Sequence, residues 1–268
     1  MEKEKILVFI PAYNCEEQLP RVLSQINNAI LEYIDEIIIV NNLSTDGTVD
    51  AARNYLSNRP ELPCRIINND SNYNLGGSHK VAFSYAIKNN FDYMIVLHGD
   101  DQADIRDLYP MLRSHKYRKY DCVLGSRFSK GSRLEGYSKL RILGNHGFNL
   151  LFSAAVRKRV YDLGSGLNMY KLSSFRSGFF YKYPDKLYFN AVMLLAGYHR
   201  KLNMKYYPIS WREDDQISNA KLLNLSVSML KMLFNYTFRR KEFMNSDMRD
   251  EKINEYTYKV IYPNDKNV

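Results

Sequence analysis

Short apolar runs alternate with helical patterns along the first 125 residues of the chain. The runs Ile6–Ile10, Glu36–Val40 and Tyr93–Leu97 are too short for helices, so each predicts a buried strand. Arg65–Ile67 and Cys122–Leu124 predict two further strands. Between the runs, apolar residues recur every three or four positions, which predicts helices. Buried strands separated by helices favour an α/β fold with a mostly parallel central sheet flanked by helices.

The alternation weakens after about residue 130. Leu140–Ala155 and Tyr188–Ala196 have helical patterns, and Lys205–Trp211 is extended. Leu222–Arg240 predicts an amphipathic helix with a basic end, and the polar residues from Asn245 onward predict a loosely attached tail. We therefore predict an α/β domain over residues 1–221 and a helical extension with a polar tail over residues 222–268.

Composition excludes several classes of protein. The chain is 45% hydrophobic and 25% charged, as in ordinary globular proteins, which argues against extended disorder. Its three cysteines are an odd number without a CxxC pair, so neither a disulfide framework nor a zinc site is expected. The charged residues at 1–5 lead directly into a strand, and no apolar run reaches the roughly 18 residues of a membrane span. We expect a cytoplasmic protein.

Basic residues are concentrated in one part of the chain. Residues 111–160 contain 12 Lys or Arg and 2 Asp or Glu, whereas the remaining residues contain 26 and 27. Such a basic block favours an anionic partner, which can be a phosphate, a nucleic acid or an acidic membrane surface. A solvated basic face is the alternative interpretation.

Acidic residues follow the strand Tyr93–Leu97 in the sequence His98-Gly99-Asp100-Asp101-Gln102. Ligands bind beyond the carboxyl ends of the strands in open α/β sheets, and this segment lies at such an end. Mg²⁺ and Mn²⁺ prefer oxygen ligands, commonly one or two carboxylates together with substrate phosphates. The segment therefore predicts a divalent-cation site, although the two aspartates can also simply cap the next helix.

Three other polar segments occur at or near the ends of predicted strands. Tyr13 in Pro11–Asn14 can stack on a nucleobase, and Asn41–Thr48 can hydrogen-bond a base or a ribose. The Asn74–Gly77 segment can direct backbone N–H groups at a phosphate, although it matches neither a Walker loop nor a GxGxxG motif. Ordinary turns and capped helix starts explain each segment equally well when it is taken alone.

Taken together and in order, these segments resemble the family 2 glycosyltransferases, and among them the polyprenyl-phosphate sugar transferases. The resemblance covers about residues 5–222. Its matching segments are Pro11–Asn14, Ser44–Thr48, Asn74–Gly77, the Asp100/Gln102 metal motif, Gly125–Phe128, Ser165–Tyr170 and Pro208–Arg212. The resemblance implies a GT-A (nucleotide-diphospho-sugar transferase) fold and an inverting, metal-dependent hexosyltransferase.

The resemblance also implies roles for individual residues. Asp100 and Gln102 would hold Mg²⁺ or Mn²⁺, while Arg127 and Arg141 would pair with the diphosphate or with an acceptor phosphate. Asp100, Arg127 and Arg141 form the implied catalytic set, and both arginines lie in the basic block. The residues implied to bind the nucleotide sugar are Pro11, Ala12, Tyr13, Asn14, Glu16, Asn41, Asn42, Asp46, Gly76, Gly77, Lys80, Asp101 and Arg212.

The sequence departs from the family pattern at several positions. Asn41–Asn42 replaces an acidic pair, which leaves the identity of the donor base open. Cys15 stands where Glu is usual, with Glu16 one step later, and Asn168 replaces an Arg. His98 replaces the first Asp of the metal motif and is either a third ligand or a packed residue.

A general base is hard to assign from the sequence. Transfer to a sugar hydroxyl requires one, whereas a phosphate acceptor is already ionised. Asp185 is the acidic residue in the segment where relatives often carry a pair, and Asp162, Asp214 and Asp215 are further candidates. The missing pair favours a lipid phosphate.

We therefore predict a glycosyltransferase acting on a polyprenyl phosphate or a cell-envelope glycan, at the inner face of the membrane or in the cytoplasm. The helix Leu222–Lys241 can lie on an anionic membrane surface or pack on the core of its own domain. A nucleotidyltransferase is the alternative enzyme, but it needs a basic glycine-rich loop where Pro11–Cys15 stands. A nucleic-acid-binding protein is the other alternative, and no RNP, KH or helix-turn-helix signature supports it.

Overall fold

A computed structural model of the chain describes residues 3–213 and 222–263. In chain order its strands are β1 (Ile6–Ala12), β2 (Glu36–Asn41), β3 (Cys64–Asn69), β4 (Tyr93–Leu97), β5 (Cys122–Ser126), β6 (Arg133–Glu135), β7 (Leu167–Lys171), β8 (Met204–Pro208), β9 (Ser210–Arg212) and β10 (Tyr258–Tyr262). The predicted strands all lie within or overlap these elements.

The helices of the same residues cover both faces of the main sheet. They are α1 (Gln18–Ser24), α2 (Asn28–Leu31), α3 (Thr48–Ser57), α4 (Asn74–Lys88), α5 (Tyr109–Arg113), α6 (Lys139–Val156), α7 (Phe189–His199), α8 (Leu222–Phe238) and α9 (Arg240–Asn245). Short 3₁₀ segments add Ile105–Leu108, Lys116–Lys119, Leu172–Ser174 and Phe179–Lys182. No helix among the described residues combines the length and the hydropathy that a membrane span requires.

Within the described residues, eight strands form one sheet in the order β10-β3-β2-β1-β4-β7-β5-β8. The pairs β1–β2, β2–β3, β1–β4 and β5–β8 are parallel, whereas β7 runs antiparallel between β4 and β5, and β10 runs antiparallel along β3. Strands β6 and β9 form a separate parallel pair. The prediction of a mostly parallel sheet flanked by helices is confirmed.

The core lies on both faces of this sheet because β1 and β2 are buried on both sides. Leu7 and Phe9 face one apolar cluster, and Val8 and Ile10 face the other. Helices α4, α6, α7 and α8 cover the first cluster, while α1, α2, α3 and α5 cover the second. Burial on both faces explains why these strands appear as continuous apolar runs rather than as alternating ones.

The expectation of a loosely attached tail is wrong for the described residues. Met244 and Tyr256 are buried, and β10 extends the main sheet at its edge next to β3. The Tyr256 hydroxyl donates to Asp185 at 2.7 Å, which fixes the chain just before β10. Polar residues surround these few anchors, which is why the segment has a polar appearance in the sequence. The predicted boundary at 221/222 adjoins residues 214–221, which lie outside the described part, so the domain division stays a prediction.

Candidate active site

The carboxyl ends of β1, β2, β3 and β4 meet at one edge of the sheet. The parallel register places Ala12 beside Asn41 and Asn41 beside Asn68. At the end of β4, the Gly99 N–H donates to the carbonyl oxygen of Pro11 at 3.1 Å. The segments that follow β1, β2 and β4 are thereby brought together, as the topology predicted.

The loop after β1 is fixed to the loop after β2 through Asn14. Its backbone N–H donates to Ser44 Oγ at 3.0 Å, and its Oδ1 accepts from the Thr45 N–H at 2.8 Å. Asn14 has a φ of 49°, a left-handed conformation that asparagine tolerates better than most residues. Pro11 is half-buried and Ala12 is buried, whereas Tyr13 leaves 44% of its surface exposed. Tyr13 is therefore the member of this segment with an open ring face.

The two asparagines at the end of β2 are buried in a network of amides. Asn41 Nδ2 donates to Asn68 Oδ1 at 2.6 Å, and Asn41 Oδ1 accepts from Ser44 Oγ at 2.6 Å. Asn42 Oδ1 accepts from Asn69 Nδ2 at 2.9 Å. Each asparagine offers both a donor and an acceptor, so the amides satisfy one another within the network. In this chain the amide network occupies the place of the family's acidic pair.

Glu16 and Asp46 both bind the start of α3. Glu16 Oε2 accepts from the Gly47 N–H at 3.0 Å, and Asp46 Oδ1 accepts from the Thr48 N–H at 3.1 Å. Both residues are exposed. The capping alternative is therefore present at Asp46, and a contact of either residue with a nucleotide stays a prediction.

Asp100 presents a partly open carboxylate at the end of β4. Its side chain is 37% exposed, and burial of the remainder raises its pKa to about 6. The backbone N–H of Gln102 donates to Asp100 Oδ1 at 3.3 Å, which links the two residues of the predicted metal motif. Among the described residues, no group of three or more His, Cys, Asp or Glu is arranged to hold a metal ion. One carboxylate and one amide fit Mg²⁺ or Mn²⁺ only if substrate phosphates complete the coordination, which is the common arrangement for these ions.

His98 lies beside this pair but is enclosed. Its Nδ1 is 4.0 Å from Asp100 Oδ2, and burial lowers its pKa to about 4, so the ring is neutral near pH 7. A Cβ at Gly166 would lie 2.8 Å from Cγ of the His98 ring, which shows how closely the backbone just before β7 packs on it. The structure places His98 within the packing between β4 and β7, and its role as a third ligand stays open.

Asp101 points away from the open edge. It is 1% exposed with a φ of 59°, and its carboxylate accepts from Arg21 Nε at 2.7 Å and from Gln25 Nε2 at 2.8 Å. Arg212 pairs with the same carboxylate and also donates to the Asp101 carbonyl oxygen at 2.8 Å. Contact of Asp101 with a nucleotide sugar would therefore require this ion-pair cluster to open. The cluster instead holds the left-handed turn between Asp100 and Gln102.

Replacing Asp101 with alanine is expected to lower activity by roughly 10–100-fold without removing any metal ligand, because residues that orient ligands have effects of this size. The melting temperature should also fall, since Arg21 and Arg212 lose their shared partner. Steady-state rates and thermal unfolding measure the two effects. Asp101→Asn is the matched variant, because asparagine tolerates the left-handed backbone and keeps an acceptor oxygen. If Asp101→Asn is as inactive as Asp101→Ala, activity depends on the negative charge of Asp101 rather than on the conformation of the turn.

Arg127 is buried in an ion pair. It is 9% exposed, and its Nε and Nη2 donate to the two carboxylate oxygens of Asp162 at 2.8 and 2.7 Å. Although burial lowers the pKa of Arg127, the Asp162 carboxylate more than offsets this and holds the pKa above its usual value. The guanidinium also lies over the Trp211 ring, 4.9 Å from its centroid. These contacts occupy most of the guanidinium, so direct contact with a phosphate stays a prediction.

Arg141 is more accessible than Arg127. Its side chain is 33% exposed and pairs with Glu213, while the guanidinium lies 5.4 Å from the centroid of the Tyr137 ring. The Tyr137 hydroxyl accepts from Arg127 Nη1 at 3.2 Å and thus links the two predicted phosphate arginines. Tyr137 was not predicted, because its only signal in the sequence is its position between the two arginines.

The glycines of the third segment lie inside α4 and against the 184–185 loop. The Gly76 N–H donates to the Asp185 carbonyl oxygen at 2.6 Å, and a Cβ at Gly76 would lie 2.4 Å from the Pro184 carbonyl oxygen. Gly77 packs in the same way against Tyr73. Close packing of the backbone therefore explains both glycines, and the Gly76 N–H is already used.

Lys80, one turn further along α4, is fully buried. Its Nζ donates to the Tyr183 carbonyl oxygen at 2.5 Å, to Asp185 Oδ1 at 2.7 Å and to the Tyr256 hydroxyl at 3.0 Å. An ammonium has three donors, so a nucleotide contact would require one of these bonds to break. Lys80 joins α4 to the segment that carries β10.

Two of the four candidate bases have internal partners. Asp162 is 3% exposed and paired with Arg127, and Asp185 is paired with Lys80. Asp214 and Asp215 lie outside the described residues. Of the described candidates, each therefore has a carboxylate that already accepts from a cation of the same chain.

Comparison with known proteins is consistent across sequence and structure. A sequence profile of Glycosyl transferase family 2 matches residues 7–182. The undecaprenyl-phosphate mannosyltransferase of Micrococcus luteus is 23% identical over 173 residues, which cover 65% of this chain and 69% of that protein. The dolichyl-phosphate beta-glucosyltransferase of Dictyostelium discoideum is 22% identical over 244 residues, which cover 87% of this chain and 73% of that protein.

Solved structures show the same fold. A mannosyltransferase from Pyrobaculum calidifontis, solved with GDP-Man and Mn²⁺, superposes with a TM-score of 0.56 at 14% identity. The match covers 88% of this chain and 63% of that one. At this identity the structural similarity shows a shared fold only, whereas the match to the sequence profile shows the family.

Proposed function

The chain belongs to glycosyl transferase family 2, and from this membership and the geometry of the sheet edge we propose that it transfers a sugar from a nucleotide-diphosphate sugar to a polyprenyl phosphate. It is a glycosyltransferase with a GT-A fold. Relatives named for undecaprenyl-phosphate and dolichyl-phosphate transfer support the acceptor class.

One observation carries the choice of acceptor. The described carboxylates considered as bases, Asp162 and Asp185, are each held by a buried or fully used cation. A sugar hydroxyl, such as that of a cell-envelope glycan, needs a base to remove its proton, whereas a phosphate oxygen is already a nucleophile. An acceptor phosphate therefore needs no general base from this site, only side chains that bind and orient it.

The donor is proposed to lie along the carboxyl edge of the sheet. The exposed Tyr13 ring offers a stacking face for the base, and the partly exposed Arg141 guanidinium would pair with a phosphate. Asp100 and Gln102 would hold Mg²⁺ or Mn²⁺ between these two regions. When bound, such an ion supplies Lewis-acid stabilisation of the charge that develops on the departing nucleoside diphosphate.

The proposed reaction is a single displacement. An acceptor phosphate oxygen forms a bond to the anomeric carbon while the bond from that carbon to the diphosphate oxygen breaks, and the bonding electrons leave with the diphosphate. Attack from the face opposite the leaving group inverts the configuration. Arg141 orients a phosphate, and the Asp101 ion-pair cluster holds the turn that carries Asp100. Because a polyprenyl phosphate resides in a bilayer, the enzyme is proposed to work at the inner face of the cell membrane.

A thermal-shift panel tests the donor site. UDP, GDP, CDP, dTDP and NAD are each added with and without Mn²⁺, because a ligand that binds only the folded state raises the melting temperature by mass action. At 100 times its dissociation constant, a nucleotide stabilises the fold by about 2.7 kcal/mol, a shift of several degrees. We expect one nucleoside diphosphate to stabilise the protein in a metal-dependent manner. Stabilisation by none of them, across a wide concentration range, would contradict the proposal.

A further inference from the structure

Helix α6 carries an apolar stripe on the side away from the core. Leu140, Leu143, Leu150 and Leu151 are 78%, 69%, 71% and 46% exposed, at spacings that place them on one helical face. Gly144 and Gly147 fall on the same face, and nothing lies within 4 Å of the Cβ that either would carry. The opposite face, which includes Phe152 and Ala155, is buried in the core. This outward face of α6 is an apolar surface that the described residues leave uncovered.

Helix α8 repeats the arrangement. Its inner face buries Met232, Leu233 and Tyr236. Its outer face exposes Val227, Leu230, Phe234 and Phe238 by 64%, 48%, 58% and 71%. The inner face confirms packing of this helix on the core of its own domain, while the exposed outer face leaves contact with a membrane surface as a prediction.

The two helices lie side by side on the same core cluster. At their ends, Arg240 Nη2 donates to the Ala155 carbonyl oxygen at 3.0 Å, which ties the start of α9 to the last turn of α6. The outer faces of α6 and α8 thus form one surface, which we call the α6/α8 face. Monomeric soluble proteins rarely leave so many large apolar side chains together in water.

The charged residues in the segments that carry helices α6 and α8 have one sign. Residues 139–159 and 224–241 contain nine Lys or Arg and no Asp or Glu. The exposed basic residues at the joined ends of the two helices are Arg157, Lys158, Arg159, Arg239, Arg240 and Lys241. Half of this set belongs to the basic block of the sequence, and the rest comes from a helix some 80 residues later in the chain.

We propose that the α6/α8 face docks on an anionic lipid bilayer, with its leucines and phenylalanines among the acyl chains and its basic residues at the phosphate headgroups. Apolar area combined with clustered Lys and Arg is the pattern that binds such membranes. A second copy of the chain fits the face less well, because a symmetric contact would bring two basic clusters together.

Docking would also place the reaction next to the bilayer. Leu140, on the docking face, is adjacent in sequence to Arg141, the accessible arginine of the candidate site. This step rests on the proposed function, since it matters only if the acceptor phosphate is carried by a lipid. An acceptor headgroup would then reach Arg141 without leaving the membrane surface.

Vesicle co-sedimentation tests the docking. The full chain is mixed with vesicles of phosphatidylcholine alone or with one-third phosphatidylglycerol, at low and high salt. We expect the unchanged protein to bind the anionic vesicles, and we expect salt to weaken this binding. The affinity for these vesicles should fall at least about tenfold in the Leu143→Ser/Leu150→Ser and Phe234→Ser/Phe238→Ser variants. Val260→Ser, which changes an exposed apolar residue on edge strand β10, should bind like the unchanged protein. The Arg157→Gln/Lys158→Gln variant should lose mainly the salt-sensitive part of the vesicle binding.

Two outcomes would overturn the proposal. The first is equal binding by all variants. The second is absence of vesicle binding together with a dimer, seen by sedimentation equilibrium, that the serine variants disrupt; the face would then be an interface between copies. Transfer to a short-chain polyprenyl phosphate in detergent separates this proposal from the proposed function. Serine variants that keep this transfer but lose vesicle binding have lost docking alone, whereas failed transfer by the unchanged protein counts against the proposed function and leaves the docking result standing.

Discussion

Replacing Asp100 with alanine is expected to lower the rate of sugar transfer by roughly 1,000-fold while leaving the fold intact. A metal-bound transition state is stabilised by several kcal/mol, and about 4 kcal/mol corresponds to a factor of that size. The Asp100 side chain is 37% exposed and lies at the end of β4, so its removal leaves no enclosed cavity in the core. Initial rates at saturating donor and Mn²⁺, together with thermal unfolding of the free protein, measure the two parts of this prediction.

Asp104→Asn is the matched control for Asp100. Asp104 lies four residues further along the same segment, and its Oδ1 accepts from the Arg106 N–H at 2.9 Å, a cap that asparagine also provides. This variant should keep nearly full activity and the metal-dependent thermal shift. An Asp100→Ala protein that retains its rate and its Mn²⁺-dependent nucleotide binding would contradict the assignment of Asp100 as a metal ligand.

Replacing Arg127 with methionine is expected to destabilise the fold by about 3–5 kcal/mol, because it leaves the buried Asp162 carboxylate without its partner. For a chain of this size the melting temperature should fall by roughly 10 °C. Arg141→Met should change stability by about 1 kcal/mol or less, because the Arg141–Glu213 pair is partly exposed. It should instead lower kcat/KM, since Arg141 is the arginine with room for a phosphate.

A double-mutant comparison separates the two roles. If Arg127 acts through Asp162, the Arg127→Met/Asp162→Asn protein should recover part of the stability lost in Arg127→Met, because no unpaired charge remains. A double variant that is no more stable than Arg127→Met would contradict a structural role of Arg127 as the partner of Asp162. An Arg127→Met protein with an unchanged melting temperature and a large loss of phosphate binding would make Arg127 a direct ligand, as the family resemblance implies.

The sequence predicted the central strands well because strands that are buried on both faces consist of consecutive apolar residues. It did not predict that β7 would insert antiparallel between β4 and β5, since Leu167–Lys171 mixes polar and apolar residues. It also did not predict β10, whose pairing with β3 depends on contacts more than 180 residues apart in the chain. Such long-range pairing has no local signature in one sequence.

The site was predicted at the level of segments rather than of side-chain directions. The carboxyl-end rule placed the loops after β1, β2 and β4 together, as the structure has them. Asp100 and Asp101 are neighbours with the same chemistry, yet one is partly open and the other is 1% exposed. What separates them is a left-handed turn at Asp101 and the position of Arg21 on another element, and neither can be deduced from spacing.

The basic block shows the same limit. It suggested one anionic partner, but the structure pairs Arg118 with Glu4, Arg127 with Asp162 and Arg141 with Glu213. The uncovered apolar stripe of α6 could not be predicted from the sequence. Leucines lie on two sides of this helix, and the pattern does not show which side is buried in the core. Only the packing of α6 and α8 on one side of the sheet identifies which leucines stay outside.

Product analysis tests the central claim most directly. The protein is incubated with Mn²⁺, a panel of nucleotide-diphosphate sugars and a short-chain polyprenyl phosphate in detergent, and the lipid products are identified by mass spectrometry. We expect one product, a polyprenyl phosphate carrying a single sugar, formed in step with an equal amount of released nucleoside diphosphate and absent with Asp100→Ala. Consumption of a donor with the sugar found only on a glycan hydroxyl or free in solution, and with the polyprenyl phosphate unchanged, would contradict it.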